Sequence, residues 1–242
     1  MRATNLRPLA AALLLSAAAS CLGPAPAAAA ETAAAIPARP EQIVYKPFQF
    51  QVPKAEKYRH RLKNGLVVYV AEDHSLPLVN ISVTLKAGTF LDPPGKTGLA
   101  SLTGTMMRKG GAGDRTAIEF DERADFLAAS LSGSIGDTSA GVTLNALSYN
   151  LDPSLDLLFD MAARPRFDQA RLEIEKGNLL EDMKQRNDDA GTIAAREWDW
   201  LIGGREHFAT RRMTKKDLDA ITRDDLLRFH HQYCRTENLA AT

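Results

Sequence analysis

Residues 79–86 read Val79-Asn80-Ile81-Ser82-Val83-Thr84-Leu85-Lys86, apolar and polar in strict alternation. Successive side chains of a strand point to opposite faces, so this pattern predicts a β-strand with one face in a core and the other in water. Such a strand needs a sheet whose apolar side something else covers. The sequence that follows supplies a cover. Gly88, Pro93, Pro94 and Gly95 break the chain, and Leu99, Leu102, Met106 and Met107 then recur at helical spacing up to Gly110 and Gly111. That spacing predicts a buried helix over 97–108.

The same physical signals divide the rest of the chain. Asn64-Gly65 is a hairpin signal before the apolar run Leu66-Val67-Val68-Tyr69-Val70, so two strands are expected around it. Thr116 with Glu119 forms a capping box, and Phe120, Ala124 and Leu127 make the apolar stripe behind it. Residues 129–136 and 141–148 read as a hairpin, with Val142, Leu144 and Ala146 on one face. Asp152 as cap and Pro153 at the first helical position open a helix that ends before Pro165, with Leu155, Leu158, Phe159 and Ala162 sharing a face. Asp168 caps a helix running toward Arg186, whose expected core contacts are Leu172, Leu179, Leu180 and Met183. Thr214 with Asp217 and Thr222 with Asp225 resemble capping boxes for two last helices. The fold class expected is α+β, a mainly antiparallel sheet packed against helices.

Composition matters for partners and for compartment. Thirty basic residues balance thirty acidic ones, which leaves no excess positive charge for nucleic acid. Residues 1–30 read as a secretory signal: Arg2 and Arg7 precede a short apolar stretch, too short to span a bilayer, and Ala28 and Ala30 frame a cleavage site. Export to the periplasm is expected, without a transmembrane span. A second processing route anchors the chain as a lipoprotein through Cys21. Residues 31–57 are an Ala/Pro-rich tether and entry segment, and 58–242 form the folded domain. After cleavage Cys234 is a lone thiol, expected half-buried and inert rather than reactive. The run at 237–242 begins like an apolar strand, so the domain is expected to be cut short before a homologous second domain.

Several segments carry a family resemblance in order: Leu62 to Val70, the strand end Lys86-Ala87-Gly88, Asp92-Pro93-Pro94-Gly95-Lys96-Thr97-Gly98-Leu99-Ala100, Arg164-Pro165-Arg166-Phe167, and the run from Ile221 through His230-His231 to Tyr233. Together they resemble the N-terminal domain of the insulinase/pitrilysin zinc metallopeptidases, which include the mitochondrial processing peptidase. Active members carry H-x-x-E-H on the helix after the Gly-Leu-Ala segment, two histidines for zinc and a glutamate that activates its water. Laid onto this chain, those positions fall on Ser101, Gly104 and Thr105. Hydroxyls are poor ligands for a cation that prefers imidazole, thiolate and carboxylate, and glycine has no group to take a proton.

The resemblance places the third metal ligand on Glu181, which is retained, and a further acidic position on Ile174, with Glu173 and Glu175 merely adjacent. A single carboxylate does not make a zinc site, so Glu181 is read as a helix-face residue near Lys184, and no metal or other cofactor is expected. The remaining histidines, His60, His74, His207, His230 and His231, form no chelating pair at helical spacing. Gly110-Gly111-Ala112-Gly113 fits neither a dinucleotide fingerprint nor a P-loop and is read as a turn. Trp198 and Trp200 are expected in the core, with an interface role as the alternative.

What the resemblance implies is a non-catalytic subunit that pairs with an active zinc-bearing homologue. In active relatives an extended substrate adds to the sheet edge beside the zinc, and the matching strand here is Ser130, Leu131, Ser132, Gly133, Ser134 and Ile135. Main-chain pairing needs no particular side chains, so this edge is the candidate for binding extended polypeptide. Two alternatives stay open: an active zinc-dependent metalloendopeptidase with an atypical site, and a peptide-binding or scaffold module of the cell envelope.

Overall fold

The structure is a computed structural model, and it describes residues 39–43, 45 and 50–235. The signal-like segment 1–30, with Cys21, and the strand-like run 237–242 lie outside the described residues. The chain divides into two units, Met1–Val52 and Pro53–Thr242. In the first, the described residues include a 3-10 turn, Pro40–Gln42. All that follows concerns the second.

It opens with a hairpin of β1 (Arg59–Arg61) and β2 (Val67–Tyr69), paired antiparallel with Arg61 opposite Val67. Asn64 and Gly65 turn the chain: the Asn64 side chain accepts from the Leu66 N–H, and Gly65 takes φ 87°, open to glycine at little cost. β3 (Leu78–Leu85), β4 (Ser130–Ile135) and β5 (Ala140–Leu147) form a separate antiparallel sheet in the order β3-β5-β4. The predicted alternation holds in β3 as far as Val83 and in β5, and β4 alternates as well. Leu131, Ile135, Val142, Leu144 and Ala146 are buried on one face. The other face carries Asn80, Ser82, Thr143, Asn145 and Ser132, where Ser132 and Thr143 share a 2.7 Å hydrogen bond and Asn145 donates to Asn80. One polar face and one buried face is what an antiparallel sheet in a two-layer domain requires.

The buried face is covered by α1 (Leu99–Lys109), which packs on β4, and by α3 (Leu151–Ala163), which packs on β5. The helix expected over 97–108 is thus present, displaced by two residues at its start. α2 (Ala117–Phe126) begins at the expected capping box, with Thr116 Oγ1 accepting from the Glu119 N–H and Glu119 accepting from the Thr116 N–H. Thr116→Ala is expected to cost about 1 kcal/mol in a denaturant melt, the usual worth of a capping hydroxyl.

α4 (Gln169–Gln185) starts at Asp168, whose carboxylate accepts from the Arg171 N–H, and Leu172 is fully buried. α6 (Lys215–Ala220) and α7 (Arg223–Tyr233) both begin at complete capping boxes, and α7 packs against α1. No helix of the described residues is long and apolar enough to cross a membrane.

Three expectations are corrected. α3 begins at Leu151, one residue before the expected cap, because a 3-10 turn at Ser148–Asn150 leads straight into it; Asp152 and Pro153 lie in its first turn. Its buried face runs through Ser154, Leu157, Leu158 and Met161, and Phe159 is 61% exposed. Trp198 is also 61% exposed, on a helix absent from the sequence reading, α5 (Ala190–Gly203). Trp200 is half-buried, donates Nε1–H to the Thr210 carbonyl at 2.9 Å, and is stacked by Arg205 at 4.0 Å.

Candidate functional site

The start of α1 is fixed by a buried carboxylate. Asp92 accepts from the Gly98 and Ala100 N–H groups at 2.7 and 2.8 Å, satisfying donors that a helix leaves open. Burial pushes its pKa above the ordinary carboxylate value, opposed by those two N–H groups and by Arg211. Two further contacts tie the same segment to the C-terminal helices: Asp217 accepts from the Thr97 N–H, and Lys96 Nζ reaches Asp225 at 2.5 Å.

From that anchor α1 carries Ser101, Gly104 and Thr105 along the sheet. Ser101 is exposed, and half-buried Thr105 spends its hydroxyl on the Ser101 carbonyl at 3.2 Å. Gly104 is buried against β4. A Cβ built there would stand 2.5 Å from the Ile135 nitrogen and 2.8 Å from the Ser134 carbonyl carbon. Gly133 completes the close approach from the strand side: its own added Cβ would meet the Gly104 carbonyl oxygen at 3.1 Å. Two glycines facing one another let helix and strand touch backbone to backbone.

One turn on, Arg108 reaches over β4. Its Nε donates to the Leu131 carbonyl at 3.1 Å, its Nη1 pairs with Asp121 of α2 at 2.5 Å, and its guanidinium lies 5.3 Å from the Phe120 ring centre. Sequence reasoning passed over Arg108 and Asp92. The available signal was positional: a lone arginine four residues beyond Gly104 in an apolar helix, and an acid six residues before that helix's glycine cap, across the Pro93-Pro94-Gly95 break.

Among the described residues β4 lies at one edge of its sheet, and β3 at the other. At the hairpin end the Gly136 N–H donates to the Ser139 carbonyl, so Gly136 and Ser139 form a hydrogen-bonded pair. Antiparallel pairs alternate, which turns the main-chain groups of Ser130, Ser132 and Ser134 toward β5 and those of Leu131, Gly133 and Ile135 outward.

Glu181 sits on α4, its side chain 60% exposed and paired with Lys184 at 2.5 Å. Glu173 accepts from Gln169, Glu175 takes Lys109 of α1 at 2.8 Å, and Ile174 is exposed. The histidines are scattered. His230 is buried, its Nε2 2.9 Å from the Ala162 carbonyl, and burial lowers its pKa; His231 is exposed; His74 stands near Glu72; His207 lies against Phe208. Among the described residues no three His, Cys, Asp or Glu side chains gather as a metal-holding group.

Burial pushes the Cys234 thiol up to about 11. At pH 8 the fraction of thiolate is then far smaller than for an ordinary cysteine. In protein carrying Cys21→Ser, alkylation of Cys234 by iodoacetamide is expected to run at least about tenfold slower than that of a free thiol.

Known proteins supply the frame for these residues. Residues 67–196, from β2 into α5, match insulinase (peptidase family M16). Among solved structures, the chain is similar to the peptidase M16 inactive domain from Pseudomonas fluorescens, at 22% identity and TM-score 0.65, over 71% of this chain and 42% of that one. Pitrilysin matches at 21% identity and TM-score 0.62, over 80% of this chain and 22% of its own. The periplasmic protease PqqL from Escherichia coli matches at 12% identity and TM-score 0.60, over 72% and 19%. These likenesses establish the fold, and the chain spans less than half the length of each. No curated protein matches the chain significantly. With the family match covering more than half of its residues, the chain belongs to the insulinase family, peptidase family M16.

Proposed function

We propose that this domain is a non-catalytic member of its family, exported to the periplasm, which pairs with a zinc-bearing homologue and offers its β4 edge to extended polypeptide. The observation that carries the reading is the contact at Gly104. The position matching the family's general base lies so close to the β4 backbone that no side chain fits there without moving α1.

The neighbouring donor set agrees. Ser101 and Thr105 bring only hydroxyls, and Glu181 is engaged with Lys184, so these residues do not fit a zinc ion that takes three nitrogen, sulfur or carboxylate ligands. No step through a metal is therefore assigned to this chain. The relative from Pseudomonas fluorescens is itself described as an inactive domain, and PqqL as periplasmic, which supports both halves of the reading. The outward main chain of β4 supports peptide binding, because strand addition needs N–H and C=O groups rather than particular side chains.

Native purification from the cell envelope, followed by zinc analysis and identification of co-purifying chains, tests this. A zinc-free chain recovered with a zinc-bearing homologue is expected. Stoichiometric zinc in the purified chain, lost on Glu181→Ala, would overturn it.

A further inference from the structure

Among the described residues nothing covers the outer face of α5. At about 100° per residue, Gly191, Ala194, Ala195, Trp198, Leu201 and Ile202 fall within about 120° of arc, and all six are exposed. Half-buried Ile193, Arg196 and Trp200 occupy the opposite side, which Trp200 ties to the domain through the Thr210 carbonyl. The helix is thus apolar on two sides and has used one. Its charged residues, Arg196, Glu197 and Asp199, all lie off the outer stripe. An uncharged face of that width is a surface built to be covered.

The stripe is graded in two ways. Its beginning is small, with Gly191, Ala194 and Ala195, and its end is large, with Trp198, Leu201 and Ile202. Acids, Asp188 and Asp189, precede the helix; a base, Arg205, follows it; all three are exposed. A helix graded in size and charge along one face is complementary to itself when turned end for end.

We infer that α5 is the contact through which two copies of this chain pair, their helices antiparallel about a two-fold axis at mid-helix. With the axis between positions 196 and 197, Trp198 of one copy lies over Ala195 of the other, Ile202 over Gly191, and Arg205 beside Asp188. Each contact occurs twice, as an isologous interface requires. Large residues over small ones let the two helices approach closely, and their dipoles run in opposite directions. The rim does not suit an anionic lipid surface, because Asp188, Asp189 and Glu197 outnumber Arg205. One helix per copy covers less than the roughly 800 Å² per partner of a standard interface, so the dimer is weak, with a Kd on the order of 10–100 μM. This pairing goes beyond the proposed function and needs neither zinc nor polypeptide.

Sedimentation velocity of the exported chain from about 1 to 200 μM tests it and is expected to show a monomer–dimer equilibrium in that range. Ala195→Arg replaces an exposed residue by another good helix former, so the thermal melt of the monomer is expected to stay unchanged. The new side chain stands where Trp198 of the other copy lies, and Kd is expected to rise at least about tenfold. Arg205→Asp is expected to weaken pairing as well, and adding Asp188→Arg to the same chain to restore it to within about threefold of wild type. A wild-type chain that stays monomeric throughout overturns the proposal. So does a dimer that Ale195→Arg leaves intact, which would pair through another face, and so does a Trp198→Asp variant that dimerises normally but loses a co-purifying homologue or binding to phosphatidylglycerol vesicles, which would give the stripe to that occupant.

Discussion

Gly104→Ala is expected to lower the stability of the domain by about 1–2 kcal/mol, and Gly104→Glu to cost more than about 3 kcal/mol. The two effects at this site oppose each other. Alanine inside a helix is favoured over glycine by about 1 kcal/mol, which in open helix would make the change stabilising. Here the new Cβ would meet the Ile135 nitrogen at 2.5 Å and the Ser134 carbonyl carbon at 2.8 Å, both backbone atoms that cannot rotate away. Overpacking of this kind costs about 1–3 kcal/mol and wins. Glutamate extends beyond the Cβ with Cγ, Cδ and two carboxylate oxygens and adds a charge to the same place, so α1 must lift off β4. For the same reason the triple change Ser101→His, Gly104→Glu, Thr105→His is expected to yield a less stable protein without stoichiometric zinc. Urea melts and a chelator competition read both outcomes, and a triple variant that melts like wild type with one bound zinc would sink the argument.

Asp225→Ala is the second large effect, an expected loss of about 3 kcal/mol. The Asp225 side chain is 4% exposed and serves several partners at once: Thr222 N–H and Oγ1 at 2.8 Å, Lys96 Nζ at 2.5 Å, and Arg228. Removing it leaves the Lys96 ammonium without its anion and α7 without its cap. Burial by itself would raise the pKa of Asp225; the bonds from Lys96 and Thr222, with Arg228, outweigh it and hold the carboxyl well below the usual range. A carboxyl depressed in the folded state contributes stability above its unfolded value, near 4, and loses it as pH falls toward the folded one. Asp217, also lowered, acts in the same direction, whereas Asp92, raised by burial, favours the folded state at the acid end of its window. Urea midpoints are therefore expected to fall from pH 5 to pH 3 in wild type and to flatten in Asp225→Asn. An acid limb unchanged by Asp225→Asn would count against this assignment.

Wherever one physical signal dominated, the local structure was legible. The alternation at 79–86 left no option but a half-buried strand, and the three capping boxes read at Thr116, Thr214 and Thr222 each opened a helix at the residue expected. Legibility failed where a residue's hydrophobicity pointed away from the core. Phe159 and Trp198 are large and apolar, and periodicity assigns such residues inward, yet both face out. α5 escaped for a related reason: its face of Trp198, Leu201 and Ile202 is exposed, none of its residues is fully buried, and Gly191 and Gly203 stand near its ends. At the site, Ser101, Gly104 and Thr105 could be located by resemblance alone. What the sequence could not convey is that Gly104 is close-packed, because that depends on Gly133, 29 positions away and brought opposite by the β4–β5 hairpin. Arg108 was hidden likewise, since its acceptor is a main-chain carbonyl, which has no signature in a string of side chains.

The ties from Lys96 and Thr97 to Asp225 and Asp217 also bear on the order in which the molecule can be completed. These partners are separated by 129 and 120 positions. At about 5–20 residues per second on the ribosome, Thr97 emerges on the order of ten seconds before Asp217. Once β4 and β5 have followed, α1 has its sheet to lie against but, until the chain is made to Asp225, neither α7 behind it nor the carboxylates that steady its first turn. Among the described helices, the last in sequence closes over the first, so this closure must follow the emergence of residues near 233, however early the hairpins form.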